Sequence, residues 1–116
     1  MPPMNLSDLV FTGFNRRVAA LDKRTGQIVW QWKAAQGRMY VTLLLDGNAL
    51  IVSVDGYMYG LDARTGTQLW FNEMAGFGTG VASLASIHGS AQNPGAAAVA
   101  NAASAAAAAS TSAASH

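Results

Sequence analysis

The stretch VAALDKRTGQIVW, residues 18–30, decides the fold of this 116-residue chain, because a second version of it occurs further on. Residues 58–70 read MYGLDARTGTQLW, and the segment 8–30 aligns with 48–70 without a gap, so that Leu21 falls on Leu61 and Trp30 on Trp70. The alignment contains six identities over 23 positions, clustered around a glycine and a tryptophan. This pattern predicts two copies of one supersecondary unit, with a period of about 40 residues.

The second copy predicts four short antiparallel strands, rich in β-branched, aromatic and aliphatic residues and bounded by turns. The predicted strands are 39–45, 49–54, 57–62 and 67–72. Asp55-Gly56 is a strong signal for a two-residue hairpin, because both central positions of that turn favour positive φ. Tyr57 and Tyr59 alternate along the third strand and are interpreted as sheet surface.

The first copy follows the same plan but lacks its strand one. Its predicted strands, 9–14, 17–22 and 27–32, correspond to strands two, three and four. Further along the chain, 79–87 aligns with 39–47 at the same offset and predicts an orphan strand one. Several strands are apolar on both faces, which is typical of sheets that are covered on both sides. We therefore predict an all-β fold of two four-stranded antiparallel propeller blades, the first without its own strand one.

The repeated turn carries the residues that we predict to build each blade. An aspartate at the end of strand three can accept hydrogen bonds from the turn amides, and a threonine can add a hydroxyl bond. A glycine then returns the chain into strand four, with a bulge, and a tryptophan four residues later docks on the neighbouring blade. These residues are Asp22, Thr25, Gly26 and Trp30 in the first copy and Asp62, Thr65, Gly66 and Trp70 in the second. The alternatives are aspartates that act as acids or metal ligands and tryptophans that stack on a cofactor, but both copies place them in the same turn context.

The two copies resemble the tryptophan-docking repeat of PQQ-type β-propellers, usually written A-x-D-x-x-T-G-K-x-x-W. Ala20 matches the alanine of that pattern, whereas Gly60 replaces it in the second copy, and Gln27 and Thr67 replace its lysine. The aspartate, threonine, glycine and tryptophan are present in both copies. The resemblance covers about residues 8–87 and implies a quinoprotein-like propeller fold.

The resemblance implies two classes of function. Some members of the family are quinoprotein dehydrogenases that hold PQQ and calcium, and others are non-catalytic proteins that bind partners, such as the lipoprotein that assists outer-membrane protein assembly. The dehydrogenases typically carry a vicinal cysteine pair, and this chain has no cysteine. We therefore expect a non-catalytic module for protein binding or scaffolding, with no catalytic, cofactor-binding or metal-binding residues. The alternative is a fragment of a PQQ-dependent dehydrogenase, or of a longer repeat protein.

Composition and charge bear on partners and compartment. The 7 Lys and Arg against 6 Asp and Glu give no basic field of the kind that predicts nucleic-acid binding. No run approaches the ~18 apolar residues of a membrane helix. The N-terminal sequence MPPMNLSDLVFTG has no positive and no apolar region typical of a signal peptide, so a cytoplasmic location is the default expectation. His88 and the glycine-rich segment 76–80 are interpreted as loops rather than as a hydrolase or phosphate site.

Three segments are predicted along the chain. Residues 1–7 form an N-terminal segment, and 8–89 contain the two blades together with the orphan strand. Residues 90–116 hold 14 alanines, 5 serines and no charged side chain, which predicts a disordered low-complexity tail.

Two blades do not close a propeller, since four blades of about 40 residues each already exceed the 116 residues of the chain. The strand missing from the first blade and the orphan strand at 79–87 predict a remedy, in which one chain completes the next head to tail. We expect a homo-oligomer with an even number of blades. Propellers of the family that the chain resembles commonly have seven or eight blades, so the resemblance implies a tetramer of eight blades, with a trimer of six blades second. A fragment of a longer protein remains the alternative.

Overall fold

The computed structural model describes residues 5–91, and apart from one 3₁₀ turn the regular elements of that range are all β-strands. The strands are β1 (Leu9–Phe14), β2 (Arg17–Asp22), β3 (Ile28–Lys33), β4 (Val41–Asp46), β5 (Ala49–Val54), β6 (Tyr57–Asp62), β7 (Gln68–Asn72), β8 (Leu84–Ser86) and β9 (Gly89–Ala91). They form a sheet β1-β2-β3, a sheet β4-β5-β6-β7 and a hairpin β8-β9, with every pair antiparallel. The predicted fold class is confirmed: one blade has four strands, and the other lacks its strand one.

The two blades turn their central hairpins in the same way. Asp55 and Gly56 have φ of 54° and 101°, and the equivalent Asn15 and Arg16 have φ of 50° and 58°. Positive φ at both central residues is the signature of the type I′ turn, whose twist matches that of the paired strands. The hairpin signal of Asp55-Gly56 is therefore seen in the structure, and Asn15 supports the same turn because asparagine tolerates positive φ.

A third repeat begins at β8. The strand predicted over 79–87 is observed only over Leu84–Ser86, and it is not an orphan, because β9 pairs with it. Leu84 lies opposite Ala91 and Ser86 opposite Gly89, which is the register of β4 with β5 one repeat further along the chain. Residues 90 and 91, assigned to the predicted tail, thus belong to β9. The remainder of that tail and residues 1–4 lie outside the described residues.

A bulge in strand four of each blade aims the repeated tryptophan. Ala20 lies opposite Trp30, yet Leu21 lies opposite Ile28, so Val29 is an extra residue in β3. The second blade repeats this shift between Gly60 and Leu61. A one-residue slip moves the following side chains to the other face of a sheet. The bulge therefore brings Trp30 onto the face that carries Ala20.

The core lies between the two blades, and each blade contributes a different face to it. We call the side of a blade that carries its repeated tryptophan the donor face and the opposite side the acceptor face. The donor face of the first blade contributes Leu9, Val18, Ala20, Trp30 and Ala34 to the core, and the acceptor face of the second contributes Leu50, Val52, Val54, Tyr59, Leu61 and Ala63. All of these side chains are 9% exposed or less. The donor face of one repeat thus packs on the acceptor face of the next.

We expect Trp30→Ala to lower the free energy of unfolding by about 3–5 kcal/mol, because it removes an almost fully buried indole from this interface and leaves a cavity. Urea unfolding followed by circular dichroism measures the change. Leu69→Ala is the matched control, since Leu69 is the bulge residue of the second blade and is 57% exposed. It should change the stability by no more than about 0.5 kcal/mol. Equal losses in the two variants would contradict the assignment of the core.

Candidate functional site

The repeated turn has the same geometry in both blades. The Oδ1 atoms of Asp22 and Asp62 each accept a hydrogen bond at 2.9 Å, from the backbone N–H groups of Arg24 and Arg64 respectively. Thr25 and Thr65 each accept a backbone hydrogen bond through Oγ1 at 3.2 Å, from Gln27 and Thr67. The backbone N–H of Arg24 holds the pKa of Asp22 below its usual value. Each aspartate therefore holds its own turn in shape.

Trp30 docks on this turn of the second blade. Its indole Nε1–H donates a hydrogen bond of 2.9 Å to the backbone carbonyl of Ala63, and the ring is 9% exposed. A Cβ atom on Gly66 would lie 2.5 Å from Cε3 of Trp30, so the ring occupies the space that a side chain would need. Gly66 also has a φ of 78°, which favours glycine. The glycine of the turn is therefore both a conformational requirement and the floor of an indole site.

Trp70, the equivalent residue of the second blade, has no such turn to dock on within residues 5–91 and is 44% exposed. Its ring instead lies back on its own sheet, where a Cβ on Gly60 would come within 2.2 Å of Nε1 and Cε2. The first blade has Ala20 at the position of Gly60, and its tryptophan extends to the neighbouring blade. The departure from the family pattern at Gly60 thus provides a resting place for Trp70.

The turn of the first blade, residues 22–27, is equivalent to the turn that receives Trp30, but no indole lies on it within residues 5–91. Gly26 has a φ of 78°, the value of Gly66, yet no atom outside its chain neighbours lies within 4 Å of the position of a Cβ. The acceptor face beside this turn exposes Val10 and Phe14, at 45% and 67%. Their equivalents in the second blade, Leu50 and Val54, are buried at 1% and 0%. The described residues therefore contain one formed blade-to-blade contact and, at the two ends, a turn and a tryptophan equivalent to the two partners of that contact.

Asp55 and Tyr59, which lie outside the repeated turn motif, bind the linker between the blades, residues 34–40. The carboxylate of Asp55 accepts backbone hydrogen bonds from Arg38, Met39 and Tyr40, at 2.6, 3.3 and 3.0 Å. Because these amides are engaged, β4 begins at Val41 rather than at 39, where the sequence predicted it. The sequence signal was the aspartate of the hairpin, whose second role depends on the folded linker.

Tyr59 fastens the same linker from inside the core. Its hydroxyl donates to the carbonyl of Gln36 at 2.9 Å and accepts from the Gln36 N–H at 2.8 Å. The Tyr59 ring packs edge-on against Trp32 of the first blade, with centroids 4.6 Å apart, and burial raises the pKa of the hydroxyl. The interpretation of Tyr59 as sheet surface is wrong, since the residue is 0% exposed. Strand alternation alone could not show which face the first blade covers.

The ionisable side chains of residues 5–91 are dispersed over the blades. Among residues 5–91, no group of three or more His, Asp and Glu could hold a metal ion. The calcium that accompanies PQQ needs six to eight oxygen ligands, and the carboxylates of Asp22, Asp55 and Asp62 already bind backbone amides. These residues do not fit such a site. His88, interpreted as a loop residue, lies in the β8–β9 turn with Nδ1 against Oδ1 of Asp46.

Comparison with known proteins identifies the family. A family model described as outer membrane protein assembly factor BamB, of the PQQ-like repeat type, matches residues 2–113. The chain belongs to this PQQ-like repeat family. The resemblance drawn from the repeated turn is thus confirmed, and the blades described above are its propeller repeats. A comparison with curated proteins gave no match. Within residues 5–91, no helix has the length and apolarity needed to cross a bilayer.

The linker contact predicts a pH-dependent stability. Burial of Asp55 raises its pKa, but the hydrogen bonds from the backbone of Tyr40, Arg38 and Met39 outweigh burial and hold the pKa below its usual value. A carboxyl with a lowered pKa stabilises the fold above its unfolded pKa of about 3.9, and this contribution is lost as the pH falls through the folded pKa. The urea concentration at the midpoint of unfolding should therefore decrease as the pH is lowered below about 4.

Asp55→Asn should flatten that fall and lower the stability near neutral pH, because an amide accepts the three hydrogen bonds less strongly. Asparagine suits the turn, since Asn15 occupies the equivalent position. Asp8→Asn is the control for general loss of negative charge. An Asp55→Asn profile that follows the parent chain at every pH would contradict the proposed role of the carboxylate.

Proposed function

We propose that the chain is a non-catalytic β-propeller repeat module that binds proteins or acts as a scaffold, and that head-to-tail association of copies completes it. The observation that carries the proposal is the exposure of an acceptor face on the first blade and of Trp70 on the second. Exposed apolar surface of this kind marks an interaction site. The dispersed carboxylates of residues 5–91 offer no comparable support for catalysis.

The form of the assembly follows from the repeat. A contact between two different surfaces of one chain is heterologous, and it closes into a ring when the rotation between copies permits. Because each chain supplies two blades, a closed ring contains an even number of them. We propose a tetramer of eight blades, with a trimer of six as the second possibility. The family supports a role in binding proteins, since its model is described as an assembly factor.

Native mass spectrometry of the purified chain at micromolar concentration tests the association. We expect one defined mass, four times that of the chain, whereas three times the mass would select the six-blade ring. Analytical ultracentrifugation provides the matched measurement in solution. A stable monomer at micromolar concentration would overturn the proposal, because it would leave the two faces without a copy to cover them.

The proposal also includes no resident cofactor. Addition of PQQ and calcium should leave the thermal midpoint unchanged within about 1 °C, since a ligand stabilises the folded state only in proportion to its binding. Differential scanning fluorimetry measures this, with calcium alone as the control. A dose-dependent rise with PQQ, together with dye-linked alcohol oxidation, would instead favour a fragment of a quinoprotein dehydrogenase.

A further inference from the structure

We propose that Trp70 of one copy docks on the turn at residues 22–27 of a second copy, as Trp30 docks on the turn at 62–67. The indole N–H of Trp70 then donates to the carbonyl of Lys23, and its ring lies over Gly26. This inference rests on the proposed function, because it assigns the residues that form the contact between copies. The partner is a second copy, since both halves of the contact occur in the same chain.

The receiving turn is already formed in the first blade. The Gly26 N–H donates to the carbonyl of Asp22 at 2.7 Å, and the Gly66 N–H donates to that of Asp62 at 2.8 Å. Each turn is also fixed to the residue that precedes strand two of its own blade. The Lys23 N–H donates to the backbone carbonyl of Asp8 at 3.0 Å, and the Ala63 N–H donates to the backbone carbonyl of Asn48 at 2.9 Å. The carbonyl of Lys23 is therefore held as the carbonyl of Ala63 is, and a second indole finds a preformed site.

The faces that carry the two halves also offer room for a partner, in grooves that lie toward the hairpin ends of the blades. A groove of about 490 Å³ on the first blade is lined in part by Thr12, Phe14 and Ala19 of the acceptor face. A groove of about 430 Å³ beside the donor face of the second blade is lined in part by Met58, Met74 and Phe77. Apolar side chains such as Phe14, Met58 and Phe77 suit contact with another blade, and Asn15, Arg17 and Gln31 give the first groove a polar side.

Trp70 must leave its resting place before it docks. In the described structure its ring covers Gly60, and a Cβ there would come within 2.2 Å of the ring. The resting position therefore competes with docking and lowers the apparent affinity between copies by the fraction of molecules that are ready to dock. The absence of a side chain at Gly60 is thus a built-in restraint on assembly.

The strand β9 also competes with assembly, because it occupies the place of strand two in the third repeat. It pairs with β8 in the register that β5 uses with β4, so it stands where strand two of a further blade belongs. In the next copy strand two is β1, and its edge away from β2 pairs with no strand among residues 5–91. Leu9–Phe11 favour a sheet more than Gly89–Ala91 do. We therefore assign β9 as a placeholder that β1 of the second copy replaces.

A pair of complementary variants tests the docking. Trp70→Ala removes the indole, and Gly26→Asn places a side chain on its site while tolerating positive φ. Each variant alone should dissociate at least about 30-fold more readily than the parent chain, because tryptophan anchors dominate interfaces. Mixed one to one, they should form a dimer and nothing larger, since Trp70 of one and Gly26 of the other remain. Gly47→Asn is the matched control, because its φ is 61° and no atom lies within 4 Å of its Cβ position.

The outcomes separate this inference from the proposed function. A parent chain that is monomeric would refute both self-association and the contact. A parent chain that assembles while Trp70→Ala and Gly26→Asn assemble equally well would overturn the Trp70 contact and leave self-association standing. Thermal midpoints of the monomeric variants close to each other would show that the contact between Trp30 and Gly66 is intact.

Two further variants test the restraints. Gly60→Ala should strengthen association several-fold, because it removes the resting place and restores the residue found at Ala20. A loss of assembly in this variant would contradict the proposed movement of Trp70.

The replacement of β9 is tested by a disulfide. Ala85→Cys with Ser90→Cys, in a chain without other cysteines, joins β8 to β9 through paired residues. Oxidation should weaken assembly at least tenfold and reduction should restore it, whereas assembly unaffected by oxidation would overturn the replacement of β9.

Discussion

The contact of the Trp30 indole with the turn at Gly66 is the constraint on which the arrangement of the blades depends. It requires a glycine in the turn, because any Cβ would overlap the ring, and a free carbonyl at Ala63 to accept the indole N–H. It also requires the bulge at Val29, which moves Trp30 to the face of Ala20. Three local features, separated in sequence, therefore act together to fix one blade on the next.

This contact gives each blade a direction. A blade presents its tryptophan on one face and receives a tryptophan on the other, so a chain of blades has two unlike ends. In the described structure the first blade keeps an open receiving turn at Gly26 and the second keeps an exposed Trp70. The two ends are complementary, so the contact that joins the two blades is also the one that we propose between copies.

The hydrogen bonds to the linker, residues 34–40, help to hold the two blades together as one unit. Asp55 gathers the amides of residues 38–40, and Tyr59 binds both backbone groups of Gln36 from within the core. The Tyr59 hydroxyl would destabilise the fold if it were buried without a partner, and the Asp55 carboxylate accepts three backbone hydrogen bonds, so these contacts hold the linker in one path. The equivalent positions of the first blade hold Asn15 and Ala19, so that blade has neither the carboxylate nor the phenol hydroxyl that binds the linker.

The sequence alone determined the repeat period, most of the strand boundaries, the type I′ hairpin at Asp55-Gly56 and the family, because these depend on local turn chemistry and on the constant spacing between the two copies. It also marked Trp30 and Trp70 as equivalent. Only the tertiary structure decided that Trp30 is buried and Trp70 exposed, since that difference depends on which face another blade covers. The burial of Tyr59 and the second role of Asp55 likewise arise from contacts between segments distant in sequence, which no local pattern encodes.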